Sequence, residues 1–211
     1  MTIEAIQGTG KRWDELADQA AVDRTVAALK SRGFEAEVVR DGGSALEAVK
    51  KIIPAGARVM TSGTTQEQIG LMDILKSEGS PWVNLKGEIL AEKDRDRQVE
   101  LRHAAIYAQY FVGSVQAVTE EGELITGSAT GSQLAAYAYG AENVILVVGT
   151  QKVARNLEEG LRRLREHSTP MEDRRMKGVG APGTVLSKTL IIERQTRPKV
   201  HVILVNESLG F

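Results

Sequence analysis

No cysteine occurs among the 211 residues. That excludes disulfides, thiolate nucleophiles and cysteine-ligated zinc or iron–sulfur centres. Histidine is scarce. The three, His103, His167 and His201, stand far apart and form no H-x-H or H-x-x-x-H pair, so no metal site is expected. Charge imbalance is also lacking: 27 Lys and Arg face 28 Asp and Glu, for a formal net charge of −1. Nucleic acid and anionic membranes favour strongly basic surfaces, so neither is an expected partner. No run approaches the roughly 20 apolar residues of a membrane span. The opening MTIEAIQGTGKRWDE lacks the basic-then-apolar layout of a secretory leader, and a cytoplasmic protein is expected. The composition, 42% hydrophobic and 26% charged, fits a globular chain long enough to bury a sizeable core.

What is present is alternation, without repeats or low-complexity segments. WDELADQAAVDRTVAALKSRG carries Leu16, Ala20, Val26 and Leu29 at helical spacing and stops at Gly33. FEAEVVR and ARVMTSG read as strands. SALEAVKKIIP pairs Ser44 with Glu47, and TTQEQIGLMDILKSEG pairs Thr64 with Glu67. Both are capping-box patterns, so two helices are predicted with Ser44 and Thr64 as caps. RDRQVELRHAAIYAQYF is helical and runs into YFVGSVQAVTEEGELITG, where Glu121-Gly122 predicts a hairpin. SQLAAYAYG is a short helix. NVILVVG, apolar on both faces, is a central parallel strand, and NLEEGLRRLREH is a helix capped by Asn156. TPMEDRRMKGVGAPGTVLSK has scattered Gly and Pro and no period, so a long loop is expected. TLIIER and KVHVILVNE close the chain as strands. The predicted fold class is α/β, a mixed, mostly parallel sheet flanked by helices. Residues 1–24 form a helical extension and 25–211 the α/β domain.

Three stretches follow strands and precede helices: TSGTT (61–65), TGSATGSQ (126–133) and VGTQK (148–152). In an open parallel sheet such loops gather at the carboxyl ends of the strands, where ligands bind. Helix N-termini there offer unpaired N–H groups. Gly63, Gly131 and Gly149 permit close backbone approach, Ser62, Thr64, Thr65, Ser128, Thr130 and Ser132 add hydroxyls, and Lys152 supplies a positive charge. The expected ligand is a small anion. If Lys152 stands exposed at the site mouth, its loss should barely change folding. Hydroxyls at these positions are also what helix caps require, and for TSGTT the two readings stand level. TGSATGSQ favours binding, since a cap needs one hydroxyl and not three. No Walker A or G-x-G-x-x-G pattern occurs, so no nucleotide cofactor is expected. Among the acid–base candidates Glu67, Glu120, Glu121, Glu123 and His103, Glu120 is the choice for a catalytic role, at a strand end near the loops. His201, alternating with Val200 and Val202, reads as structural, and EDRR (172–175) as a solvated charge run.

Taken together, IIPAGARVMTSGTTQEQIGL, YFVGSVQAVTEEGELITGSATGSQLAAYAYGAENVILVVGTQKVARNLEEGLRRL and VILVNESLGF resemble the LUD (lactate-utilisation) domain family, over about residues 25–211. The resemblance implies an α/β fold similar to the glucosamine-6-phosphate deaminase, ribose-5-phosphate isomerase and CoA-transferase superfamily. It also implies a place beside L-lactate oxidation. It maps the family's first loop onto Ser62–Thr65, its Thr-Glu-(Asp/Glu)-Gly turn onto Thr119–Gly122, its Thr-Gly onto Thr130-Gly131 and its Gly-x-x-Lys onto Gly149–Lys152. Relatives with a cysteine-rich segment carry it where this chain has GVGAPGTVLSK, so the chain resembles the cysteine-free branch.

The expected function is a protein of lactate or related organic-acid metabolism that binds a phosphate, carboxylate or CoA ester. The alternatives are a non-catalytic binding module and a regulatory or assembly subunit. The implied partners are the metabolite and other lactate-utilisation proteins, with self-association left open. Purified, chelator-free protein is expected to hold no stoichiometric iron or zinc by elemental analysis; a stoichiometric metal would overturn that expectation.

Overall fold

Val144, Ile145, Leu146, Val147 and Val148 are apolar in succession, a pattern satisfied by a strand covered on both faces. All five are buried. The computed structural model describes residues 13–211. In chain order its principal elements are α1 (Gln19–Ser31), β1 (Glu35–Val39), α2 (Gly42–Ile52), β2 (Arg58–Thr61), α3 (Thr65–Gln68), α4 (Leu71–Lys76), β3 (Val83–Asn84), α5 (Leu85–Ala91), α6 (Arg95–Ala104), β4 (Tyr110–Gly113), β5 (Ala117–Thr119), β6 (Leu124–Ser128), α7 (Ser132–Ala135), β7 (Asn143–Gly149), β8 (Val153–Ala154), α8 (Leu157–Arg163), α9 (Thr169–Gly178), β9 (Lys188–Ile192) and β10 (Lys199–Val205).

The main sheet has the order β1-β10-β7-β4-β2-β3, and every neighbouring pair is parallel. Its central strand β7 sends alternate side chains into two cores. Val144, Leu146 and Val148 pack with Leu29, Phe111 and Tyr137. Ile145 and Val147 pack with Val49, Leu71 and Trp82. The predicted α/β class and flanked parallel sheet are what the chain forms. The mixed character is segregated into a second sheet of order β8-β5-β6-β9, in which β6 runs antiparallel to both β5 and β9. The predicted hairpin joins β5 to β6, with Gly122 at φ +89°.

Several local expectations are corrected. The cap of α2 is Asp41 and not Ser44; the Asp41 carboxylate accepts from the Ser44 N–H at 2.8 Å. Thr64 makes no capping bond with its side chain. The helix predicted over 64–79 breaks at Gly70, φ +79°, into α3 and α4. The stretch 169–178, expected as loop, is helix α9. It continues from α8 through a π-helical turn at Leu164–Ser168, the irregular turn that accommodates Pro170. Glu172–Arg175 and Asp173–Lys177 pairs at 2.6 and 2.7 Å lace its surface. None of its residues is buried, so it has no apolar period to read. Asn156 does cap α8, accepting from the Glu159 N–H at 3.0 Å. Helix α1 runs unbroken across residue 24, the boundary expected for the extension, whose residues 1–12 lie outside the described residues.

A Cβ on Gly113 would stand 1.7 Å from the Tyr137 hydroxyl, so the end of β4 needs glycine for Tyr137 to seat. Gly113→Ala is expected to lower the free energy of unfolding by about 1–3 kcal/mol, the usual cost of overpacking. Denaturant titration measures it, and an unchanged midpoint would mean that Tyr137 is not seated there.

Candidate functional site

Because the main sheet is parallel, the chain leaves β2, β4 and β7 at the same edge, and these strands are neighbours. Their exits carry Ser62–Thr65, Ser114–Gln116 and Thr150–Lys152. The small sheet stands over this edge and brings Thr126–Thr130 from the end of β6. Leu164, Ser168, Thr169 and Glu172, the segment Thr184–Leu186, and Phe211 complete the wall of a cavity of about 300 Å³. The three loops singled out in the sequence therefore each send residues to one cavity. The third loop sends only Lys152.

The predicted residues divide. Ser62, Gly63, Thr64, Thr65, Ser128, Thr130 and Lys152 line the cavity; Gly131, Ser132, Gly149 and Glu120 do not. Gly149 serves a close approach instead. A Cβ there would meet the Gln151 carboxamide oxygen at 2.1 Å and the Glu207 carbonyl at 2.5 Å. Glu120 accepts from Arg24 Nε at 2.6 Å, tying the hairpin to α1. The loop at 126–133 spends part of its polarity on itself. The Ser128 hydroxyl accepts from the Gly131 N–H at 2.9 Å and donates to Gln133 Oε1 at 3.1 Å. Thr64 keeps its hydroxyl free of capping, so at TSGTT the cap reading does not hold. Below that loop Gln66 is fully buried, and neither atom of its carboxamide finds a partner. Helix α3 is a single turn and gives little dipole, and α7, which runs on as a π-helix through Gly140, has no side-chain cap. The positive charge comes from side chains.

Lys152 is the main correction. It is not exposed at the mouth: it is 2% exposed and donates from Nζ to Ser114 Oγ at 3.2 Å. Burial, and then the Arg163 charge, pull its pKa down to about 7. Arg163 is 1% exposed behind the wall. Its guanidinium donates to the Gln116 carbonyl, to Ser168 Oγ at 3.0 Å and to the Trp13 carbonyl at 3.2 Å, while its Nε has no partner. Burial lowers its pKa only to about 10, so it stays charged at neutral pH. Burial and the Arg163 charge also push His167 down to about 4, leaving it neutral. The Tyr137 phenol donates to the Ser114 carbonyl at 3.2 Å, and burial pushes it up to about 12. The one acidic side chain in the wall, Glu172, is held by Arg175 through bonds of 2.6 and 2.8 Å. Among the described residues neither Lys152 nor Arg163 forms an ion pair with a carboxylate, and their bonds go to neutral acceptors.

The LUD domain family model matches residues 22–205. The chain belongs to the LUD domain family. That family is associated with lactate utilisation. The fold of this LUD domain is similar to that of a DUF162 family protein from Deinococcus radiodurans, with a TM-score of 0.54 and 12% identity over 91% of this chain and 100% of that one. A remote likeness is to eIF2B delta from Chaetomium thermophilum, with a TM-score of 0.33 and 16% identity over 67% of this chain and 57% of that one. No curated protein matches. Among the described residues no helix is long and apolar enough to cross a membrane.

Sequence reasoning missed Ser114, Gln116, Tyr137, Arg163 and α9. Two of these left a trace. Arg163 follows buried Glu159 and Gly160 at helical spacing, and Tyr137 follows buried Leu134 by three, so both fall on inward faces.

A buried lysine whose pKa is lowered costs stability. The unfolded chain holds its proton up to the ordinary 10.5 and the folded chain only to about 7. Between these values the unfolded state binds more protons, so stability rises with pH. Lys152→Met is expected to be more stable than the parent by on the order of 3 kcal/mol below about pH 7, with the gain fading toward about pH 10. Urea unfolding across that range measures it; a Met variant less stable throughout would contradict the shift.

Proposed function

We propose that this LUD domain binds a small anionic metabolite of lactate or related organic-acid metabolism, through a carboxylate or phosphate, free or as the anionic part of a CoA ester. The observation that carries this reading is Lys152, buried beside Arg163 with no acidic partner among the described residues. A cation so placed is costly unless something charged completes it. The cavity hydroxyls of Ser62 and Thr64 supply further donors. A volume of about 300 Å³ suits a small ligand or the charged end of a larger one. A scaffold reading expects the loops to be closed by side chains, and the open cavity speaks against it. A non-catalytic binding module is the second reading. It is favoured by the engagement of Glu172 in the wall with Arg175 and of Glu120, outside it, with Arg24, so that among the described residues neither carboxylate stands free at the cavity. Partnership with other lactate-utilisation proteins is proposed on family grounds alone.

Calorimetric titration with inorganic phosphate and with L-lactate tests the reading. Lys152→Ala is expected to weaken the observed binding by about 1.5–3 kcal/mol, the worth of a hydrogen bond to a charged group. An anion also favours the protonated lysine, so binding above about pH 7 should take up a proton, seen as a buffer-dependent heat. An affinity unchanged in Lys152→Ala would leave the loops as turns and caps.

A further inference from the structure

We propose that the Lys152 amine forms a covalent imine with the carbonyl carbon of a small 2-oxo acid held in this cavity. The inference rests on the anion-binding reading above and names its substrate class. A lysine needed only as a counter-charge is best kept wet. Lys188 shows that placement: it is exposed, beside the same loop, with its ammonium on the Ala129 carbonyl at 3.3 Å. Lys152 is in the opposite situation, 2% exposed in the cavity wall with a hydroxyl as its hydrogen-bond partner. Arg163 behind the wall supplies a permanent cation, so Lys152 can spend part of its time neutral without emptying the cavity of positive charge. What Lys152 adds is a lone pair. Burial and the Arg163 charge hold it near neutrality, with a pKa of about 7. An ordinary lysine is neutral in only about one chain in a thousand at pH 7. A desolvated, neutral lysine is the form that attacks carbonyls.

The rest of the cavity fits that step. Ser114 seats both groups at the cavity: its hydroxyl meets Lys152 Nζ, and its carbonyl accepts from the Tyr137 phenol, which also lines the wall. The phenol, pushed up to about 12, keeps its proton at neutral pH. Leu164, Val185, Leu186 and Phe211 furnish an apolar wall that favours loss of water. The amine calls for a carbonyl and the hydroxyl loops for an anion, and a 2-oxo acid is the smallest class that joins the two. In the addition, the nitrogen lone pair makes the C–N bond and the carbonyl π pair moves to oxygen. That oxygen takes a proton, and the nitrogen gives one up, leaving a carbinolamine. Departure of the oxygen as water, with the second proton of the amine, leaves C=N. No oxidant or reductant is consumed.

The test is reductive trapping with sodium cyanoborohydride at neutral pH, using glyoxylate, pyruvate and 2-oxoglutarate as probes, read by intact mass and peptide mapping. The expected result is one adduct per chain, of the mass of the oxo acid less one oxygen atom, on the peptide containing Lys152. It should form about tenfold or more faster than on exposed Lys50 or Lys199, reflecting the larger neutral fraction. Lys152→Met and Lys152→Arg should both lose it, and Lys152→Arg keeps the charge. If Lys152 is unlabelled by all three probes, or labels no faster than the exposed lysines, the imine is overturned. Calorimetry with L-lactate, which has a hydroxyl in place of the carbonyl, separates the two readings. Lys152-dependent lactate binding without trapping removes the imine alone, and absence of both removes the anion site as well.

Discussion

Everything in the cavity is referred to three residues, Ser114, Val115 and Gln116, in which the chain passes from the parallel sheet to the small one. Several of their polar groups are committed across the two sheets. The Ser114 hydroxyl and carbonyl receive Lys152 and Tyr137. The Gln116 N–H donates to the Ile125 carbonyl at 3.0 Å, its side chain accepts from the Gly127 N–H at 2.9 Å, and its carbonyl takes the Arg163 guanidinium. A longer connection would let the two sheets drift relative to each other. A three-residue one fixes the end of β6 over the ends of β2, β4 and β7, and the space left between them is the cavity.

The same bridge explains how two cations come to be buried together. Arg163 is drawn inward by the carbonyl of Gln116 and the hydroxyl of Ser168, neutral acceptors that satisfy its donors without cancelling its charge. Lys152 follows β7 directly and has no length of loop with which to reach water. Elsewhere in the protein, buried ionisable groups are matched: Glu123 meets Arg32 at 2.8 Å, and Glu159 meets Arg155 at 2.7 Å. The molecule thus tolerates an electrostatic cost at one place and not at others, which is where binding energy is most readily stored.

The parallel sheet was legible because helices and strands alternate along the chain and β7 is apolar on both faces. The loops were legible because strand, glycine, hydroxyl and helix follow in a fixed order. What escaped reading was whatever depended on partners distant in sequence. Ser44 and Thr64 match capping patterns, yet Asp41 wins the first site and a break at Gly70 reshapes the second. Helix α9 carries no apolar face, since its charged pairs stabilise it without burial. Lys152 was visible as a charge, but its burial is set by the small sheet and α8, which no local pattern encodes. Glu120 looked close to the loops along the chain and is instead bound to Arg24 of α1.

The C-terminal segment is stitched down at two points. The Gln151 carboxamide donates to the Leu209 carbonyl at 2.8 Å, and the Gly210 N–H donates to Gln68 at 2.6 Å. Phe211 then forms part of the cavity wall. Any residue following Phe211 therefore starts at the cavity wall, and bulk placed there would crowd the cavity.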